Sequence, residues 1–182
     1  LWELSLVDPD NRRAVDYDLR AQMLRQLQQE GERSGDDRIG LVRRLMESWK
    51  DGRIKLYIMQ EGLRHRRANA ALYLEGDYVP LDCEGRYKSH LCAFARLHQD
   101  LGLVAVVPRL VTGLGDVSGG AAREAHVWQD TWMAVPSWKN GSVYRNILTG
   151  ERLETVTQGE RQMLPVGAVL NHCPVGLLER CT

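Results

Sequence analysis

Apolar residues recur at three- and four-residue steps through the first third of the chain and then give way to short runs punctuated by Gly, Pro, Asn and Asp. Leu19, Met23 and Leu27, with Leu24 beside them, form one stripe and predict a helix from about Tyr17 to Glu30. Asp16 stands where it can cap that helix, and the segment GERSGDD is expected to break it. A second helix, from about Asp37 to Lys50, places Ile39, Val42, Leu45, Met46 and Trp49 on one face, with Asp36 or Asp37 as its cap. A third runs from Arg53 to about Asn69. Ile54, Tyr57 and Ile58 lie on one flank and Leu56, Met59 and Leu63 on another, which predicts packing on two sides, with Gly62 a tolerated weak point.

From Leu72 onward the runs YLEGDYVPL, HLCAFARL, GLVAVV, HVWQDTWMAV, SVYRNIL, RLETV and PVGLLE read as strands. Leu91, Ala93, Ala95 and Leu97 alternate with the residues between them, and turn signals separate the runs, so an antiparallel sandwich is predicted. The glycine-rich stretch TGLGDVSGGAAR reads as the most mobile loop, because its glycines lose most entropy on ordering and it has little to bury. The segment SLVDPDNRRAVDY before the first helix reads as an ordered loop. No repeat or heptad stands out.

Length and charge narrow the partners. At 182 residues and 43% hydrophobic, the chain can build one substantial core, or a helical piece with a smaller β domain. Its 24 basic residues balance 24 acidic ones, so no net field would draw it to nucleic acid or to an anionic membrane. The longest apolar stretch, Leu101 to Val107, falls far short of the roughly 20 residues that span a bilayer. The N-terminus carries Glu3 and Asp8 where a secretory signal needs a basic and then an apolar segment, and it lacks Met, which reads as a trimmed start.

Cys83, Cys92, Cys173 and Cys181 have no C-x-x-C spacing and no His partner at helical spacing, so neither a zinc site nor a redox motif is indicated. Free thiols in a reducing cytoplasm are the simpler reading, with two disulfides as the alternative. The histidines at 65, 90, 98, 126 and 172 sit in no nucleophile motif, and no glycine-rich phosphate loop is present. The basic run Arg64, His65, Arg66, Arg67 is explained by a solvated helix end.

Chemistry on sugars usually needs two carboxylates facing each other across the scissile bond. Asp8 and Asp10 are the one tempting pair, but they lie two apart in a turn-forming segment, beside Arg12 and Arg13, which favour ionisation of both. They read as turn formers, or as substrate ligands together with Asn11, Arg12 and Arg13, since carboxylate, carboxamide and guanidinium groups on one loop suit vicinal sugar hydroxyls. Among the tryptophans, Trp49 falls on an apolar helix face, and Trp128 and Trp132 lie four apart on one side of a predicted strand. Core packing is expected of those, whereas Trp2 and Trp138, the latter in the turn-like VPSWKNGS, are the candidates for stacking on a sugar ring.

The segment LWELSLVDPDNRRAVDY resembles the one that follows the eighth barrel strand in maltooligosyl trehalose synthases, a branch of the α-amylase superfamily. WKDGRIKLY, the Arg-rich helix and LYLEGDYVPL are similar to that family's passage from its TIM barrel into its C-terminal β domain, and RNILTGE and PVGLLE to that domain's closing strands. Ala14 stands where the family usually has Pro. The resemblance implies an α+β chain: residues 1–70 as the helical end of a (β/α)8 barrel with the loop after strand eight, and residues 71–182 as an antiparallel β-sandwich C-terminal domain.

It further implies part of an isomerase that turns the reducing-end linkage of a maltooligosaccharide into a trehalose unit by intramolecular transglucosylation. The family's catalytic Asp nucleophile, Glu acid/base and third Asp lie on earlier barrel strands, so no catalytic residue is expected in this chain, which would be inactive alone. Asp8, Asp10, Asn11, Arg12 and Arg13 would form one wall of the pocket. No cofactor or metal is implied. The expected partners are the maltooligosaccharide, the upstream barrel of the same polypeptide, a second copy through exposed apolar helix faces, and maltooligosyl trehalose trehalohydrolase in the pathway. The alternative is a non-catalytic glycan-binding or protein-interaction β module.

Overall fold

A computed structural model describes residues 15–35, 37–114, 125–128, 130–138 and 143–181. Among the described residues four helices come first: α1 (Tyr17–Ser34), α2 (Arg38–Glu47), α3 (Arg53–Ala68) and the short α4 (Ala70–Leu74). Asp16 caps α1 by accepting from the Leu19 N–H at 2.8 Å, and Asp37 caps α2 by accepting from Gly40 at 2.9 Å. Helix α1 runs through Gly31 and ends only at Gly35, whose positive φ of 53° lets its N–H turn back to the Glu32 carbonyl. The break expected after Glu30 is therefore displaced, because one glycine in a helix costs only about 1 kcal/mol.

Helix α2 stops at Glu47, and a 3₁₀ turn, Trp49–Asp51, follows. The tighter turn carries Trp49 off the buried face, leaving it 48% exposed rather than in the core. Helix α3 buries Ile54 and Tyr57, and Leu56 of the second flank is half-buried against the same cluster, whereas Met59 and Leu63 are exposed. Tyr73 and Leu74, expected in a strand, belong to α4 instead, which buries Leu72. The strand can start only after Gly76, where a Cβ would lie 2.4 Å from the Leu72 carbonyl oxygen and 2.8 Å from that of Leu97.

Among the described residues, ten strands make two antiparallel sheets. They are β1 (Asp77–Pro80), β2 (Cys83–Glu84), β3 (Leu91–His98), β4 (Leu101–Pro108), β5 (Trp132–Val135), β6 (Val143–Asn146), β7 (Arg152–Glu154), β8 (Val156–Gln158), β9 (Arg161–Pro165) and β10 (Gly176–Arg180), with helix α5 (Val166–Val169) between the last two. The larger sheet has the order β1-β3-β4-β10-β6-β7 and the smaller β2-β5-β9-β8. One cluster joins them: Leu91, Ala95, Val104, Val106, Tyr144 and Leu178 from the larger sheet pack with Met133, Val135 and Leu164 from the smaller. The alternation in β3 holds, with Leu91 and Ala95 buried. Trp128 is 1% exposed in this core, but it belongs to a 3₁₀ turn, Ala125–Trp128, and not to the strand that begins at Trp132.

A second cluster unites the helices with the β region. Leu27, Leu41, Val42, Leu45, Ile54 and Tyr57 pack with Ile147, Leu148 and Cys173, and Leu177 of β10 borders them. Gly62 lies over that border, since a Cβ there would sit 3.8 Å from Leu177 Cδ1. Burying each such aliphatic side chain contributes roughly 1.5–3 kcal/mol, and the chain here uses that gain to seat its helices on the outer face of the larger sheet. No helix among the described residues is long and apolar enough to cross a membrane, and all four cysteines are free thiols.

Candidate functional site

Where α3 meets the turn after β6, polar side chains replace apolar ones. Glu61 falls on the buried flank of α3, one turn beyond Tyr57, and its side chain is only 10% exposed. It accepts from Arg38 Nη1 of α2 at 3.3 Å and from Arg64 Nη1 at 3.0 Å. Arg38 Nη1 also donates to the Ile147 carbonyl at 2.9 Å, and the Tyr57 hydroxyl donates to the Leu148 carbonyl at 2.7 Å. Burial, with the negative charge of Glu61 nearby, pushes the Tyr57 phenol up to about 12, so it remains a donor.

A cleft of 310 Å³ opens beside this knot, lined on one side by Arg38, Glu61, Arg64 and His65 and on the other by Arg145, Asn146, Gly150 and Glu179. His65 Nδ1 lies 2.8 Å from the Tyr73 hydroxyl, and its Nε2 lies 3.7 Å from Glu179, which also pairs with Arg145 at 3.1 Å. Burial holds the His65 imidazole below its usual value against the opposing pull of Glu179. Asn146, 1% exposed, accepts the Leu148 N–H through Oδ1 at 3.1 Å, while its Nδ2 is buried without a hydrogen-bond partner. Such an orphan donor costs about 1–3 kcal/mol. On the far side of the knot a hollow of 200 Å³ shares Arg38, Glu61 and Arg64 and is lined also by Gln60, whose Oε1 is likewise buried and unpartnered.

A wider hollow of 640 Å³ lies between the end of α1 and the start of α2. Two of its arginines are engaged: Arg53 with Asp51 and Glu30, and Arg44 with Ser34. Among the described residues, no group of three or more His, Cys, Asp or Glu is placed to hold a metal ion.

Of the residues singled out from the sequence, Arg64 and His65 line the cleft. Asp8, Asp10, Asn11, Arg12 and Arg13, with Trp2, lie outside the described residues, as does most of the glycine-rich stretch. Trp138 follows β5, half-buried. Its Nε1 donates to the Tyr144 hydroxyl at 3.3 Å, and the Arg180 guanidinium covers one face of its ring at 3.9 Å from the centroid. The basic run on α3 is split, with Arg64 paired to Glu61 and His65 turned to Tyr73. Sequence reasoning missed Glu61, although its place on the Ile54–Tyr57 flank was the signal. It missed the cleft as well, yet RNILTGE supplies Arg145, Asn146 and Gly150, and PVGLLE supplies Glu179.

Fold and cleft together define an α+β chain in which helices are latched to a pair of antiparallel sheets by buried polar groups. No protein-family model matches it. By sequence it is 33% identical over 96 residues to proteins of two Mycobacterium tuberculosis strains provisionally named maltooligosyl trehalose synthase, an alignment covering 53% of this chain and 9% of theirs. By fold it matches the maltooligosyltrehalose synthase of Arthrobacter ramosus with a TM-score of 0.62 and 28% identity, over 99% of this chain and 19% of that one. A mutant of the same synthase matches at 0.63. The chain is thus related by sequence and by structure to maltooligosyl trehalose synthases and resembles a C-terminal portion of one, while spanning only a small share of their length.

Proposed function

We propose that the chain is the C-terminal part of an intramolecular transglucosylase that converts the reducing-end linkage of a maltooligosaccharide into a trehalose unit. The observation that carries this reading is the match of 99% of the chain, at 28% identity, to 19% of the Arthrobacter ramosus synthase. In this reading residues 1–70 close the catalytic barrel and residues 71–182 form the C-terminal β domain. Asp8, Asp10, Asn11, Arg12 and Arg13 hold the substrate. The catalytic carboxylates come from the upstream barrel of the same polypeptide, in the cytoplasm, without a cofactor. The exposed Met59 and Leu63 on α3 support a role in contact with more protein, since an apolar pair on one helix face gains from being covered. Without that cover, a second copy of the chain is the competing occupant. The product's trehalose end would be released by maltooligosyl trehalose trehalohydrolase.

Incubating the chain with maltopentaose and separating the products tests the claim. No trehalose-ended product is expected, and clear turnover by the chain alone would overturn it. Joined to its upstream barrel, an Arg12→Ala variant should lose productive binding or leak to hydrolysis, whereas unchanged kinetics would remove the loop from the site. A second reading, a non-catalytic glycan-binding or protein-interaction module, is favoured by one feature, the polar cleft between α3 and β6.

A further inference from the structure

We infer that the cleft between α3 and the β6 turn is a binding site for a neutral polyhydroxylated ligand, a short α-glucan segment. The choice of glycan rests on the reading above, whereas the site rests on its own geometry. Each of its three arginines is engaged by a resident carboxylate: Arg38 and Arg64 share Glu61, and Arg145 is held by Glu179. The imidazole between them is kept neutral by burial, so an anion entering the cleft would compete with two resident carboxylates for the same guanidiniums. A hydroxyl needs no such displacement. Each sugar hydroxyl accepts from one neighbour and donates to another, which matches guanidinium N–H groups alternating with carboxylate oxygens.

Two further observations point the same way. The Asn146 amide stands in the cleft wall with its Nδ2 lacking an acceptor. A ligand hydroxyl supplies that acceptor, directly or through one bridging water. At 310 Å³ the cleft lies at the lower end of the roughly 300–1,000 Å³ of small-molecule sites, enough for a sugar unit and too small for a folded partner.

Calorimetric titration of the full 182-residue chain with maltotetraose tests the site. Saturable binding with a dissociation constant on the order of 1 mM is expected, as for a few polar contacts without an aromatic platform. Arg64→Ala, a largely exposed side chain, should weaken it about ten-fold, the loss of one charge-assisted hydrogen bond. Arg145→Ala serves as the second variant should the first not fold, and Arg161→Ala, which pairs with Asp82 and Glu84 on the smaller sheet, should change nothing. In the wild-type chain the His65 ring resonances should shift on addition of the sugar. The inference is overturned by the absence of saturable binding, by binding that only Trp138→Ala removes, or by inorganic phosphate displacing the sugar. Transglucosylation is not measured in any of these arms, so an empty cleft would leave the family reading intact.

Discussion

The Tyr57 hydroxyl on α3 donates a 2.7 Å hydrogen bond to the Leu148 carbonyl, 91 positions further along the chain. Tyr57 is 4% exposed and Leu148 fully buried, so neither group can exchange its partner for water. Together with the bond from Arg38 to the neighbouring Ile147 carbonyl, it makes the turn after β6 the polar anchor of the helices.

Removing the hydroxyl should therefore be costly beyond its size. Tyr57→Phe keeps the ring and leaves the Leu148 carbonyl buried without a donor, which costs about 1–3 kcal/mol. Urea denaturation followed by circular dichroism reads the loss directly. A change below about 0.5 kcal/mol would mean that the carbonyl finds another donor and that the anchor lies with Arg38 alone.

Acid should weaken the same junction through His65. Its imidazole faces Glu179, Tyr73 and, at longer range, Arg145, and burial prevails over the carboxylate to hold it below the ordinary value of 6.5. The unfolded chain then binds the proton first as pH falls. Stability contributed by the neutral ring is complete above about 6.5 and is lost progressively as pH drops toward the folded value. The denaturation midpoint should fall between pH 7.5 and 5.5, and less so in His65→Gln. An NMR titration placing His65 above 6.5 would reverse the sign and show that Glu179 prevails.

Arg180 and Trp138 make a separate lock at the end of β10. The guanidinium lies 3.9 Å from the ring centroid and donates through Nη1 to the Asp100 carbonyl at 2.7 Å, tying the segment after β5 to the β3–β4 turn. A cation over an indole contributes about 0.5–2 kcal/mol according to its desolvation. Arg180→Ala should destabilise the chain within that range and raise the quenching of tryptophan fluorescence by iodide. If quenching is unaltered, the ring is held by Tyr144 and not by the stack.

What was legible in the sequence is local. Asp16 and Asp37 announce their caps because the N-terminal N–H groups of a helix need an acceptor at that spacing, and the stripe of α2 marks its core residues directly. The alternation of β3 is equally visible. The insertion of β10 between β4 and β6 is not, since partners so distant in sequence leave no periodic trace. Trp49 shows the same limit: a 3₁₀ turn re-aims a side chain by an amount that no apolar pattern encodes, whereas Trp128 is buried as expected but from a 3₁₀ turn and not a strand. The cleft is legible only in pieces, because Glu61 reads as one acid on an apolar flank until RNILTGE is folded against it.

Two glycines separate helix propensity from packing. Gly31 sits inside α1, where a methyl group added to its Cα would meet nothing within 4 Å, so Gly31→Ala should stabilise the chain by about 0.5–1 kcal/mol through a less flexible unfolded state. Gly76 joins α4 to β1, and a methyl group there would lie 2.4 Å from one backbone oxygen and 2.8 Å from another. Neither oxygen belongs to a side chain that can swing aside, so α4 or the β1–β3 pairing must shift, and Gly76→Ala should cost roughly 2–4 kcal/mol. Thermal melts of the two variants should move in opposite directions from the parent. If Gly76→Ala melts with the parent, the close approach of α4 to the end of β3 is not what fixes the start of the first strand.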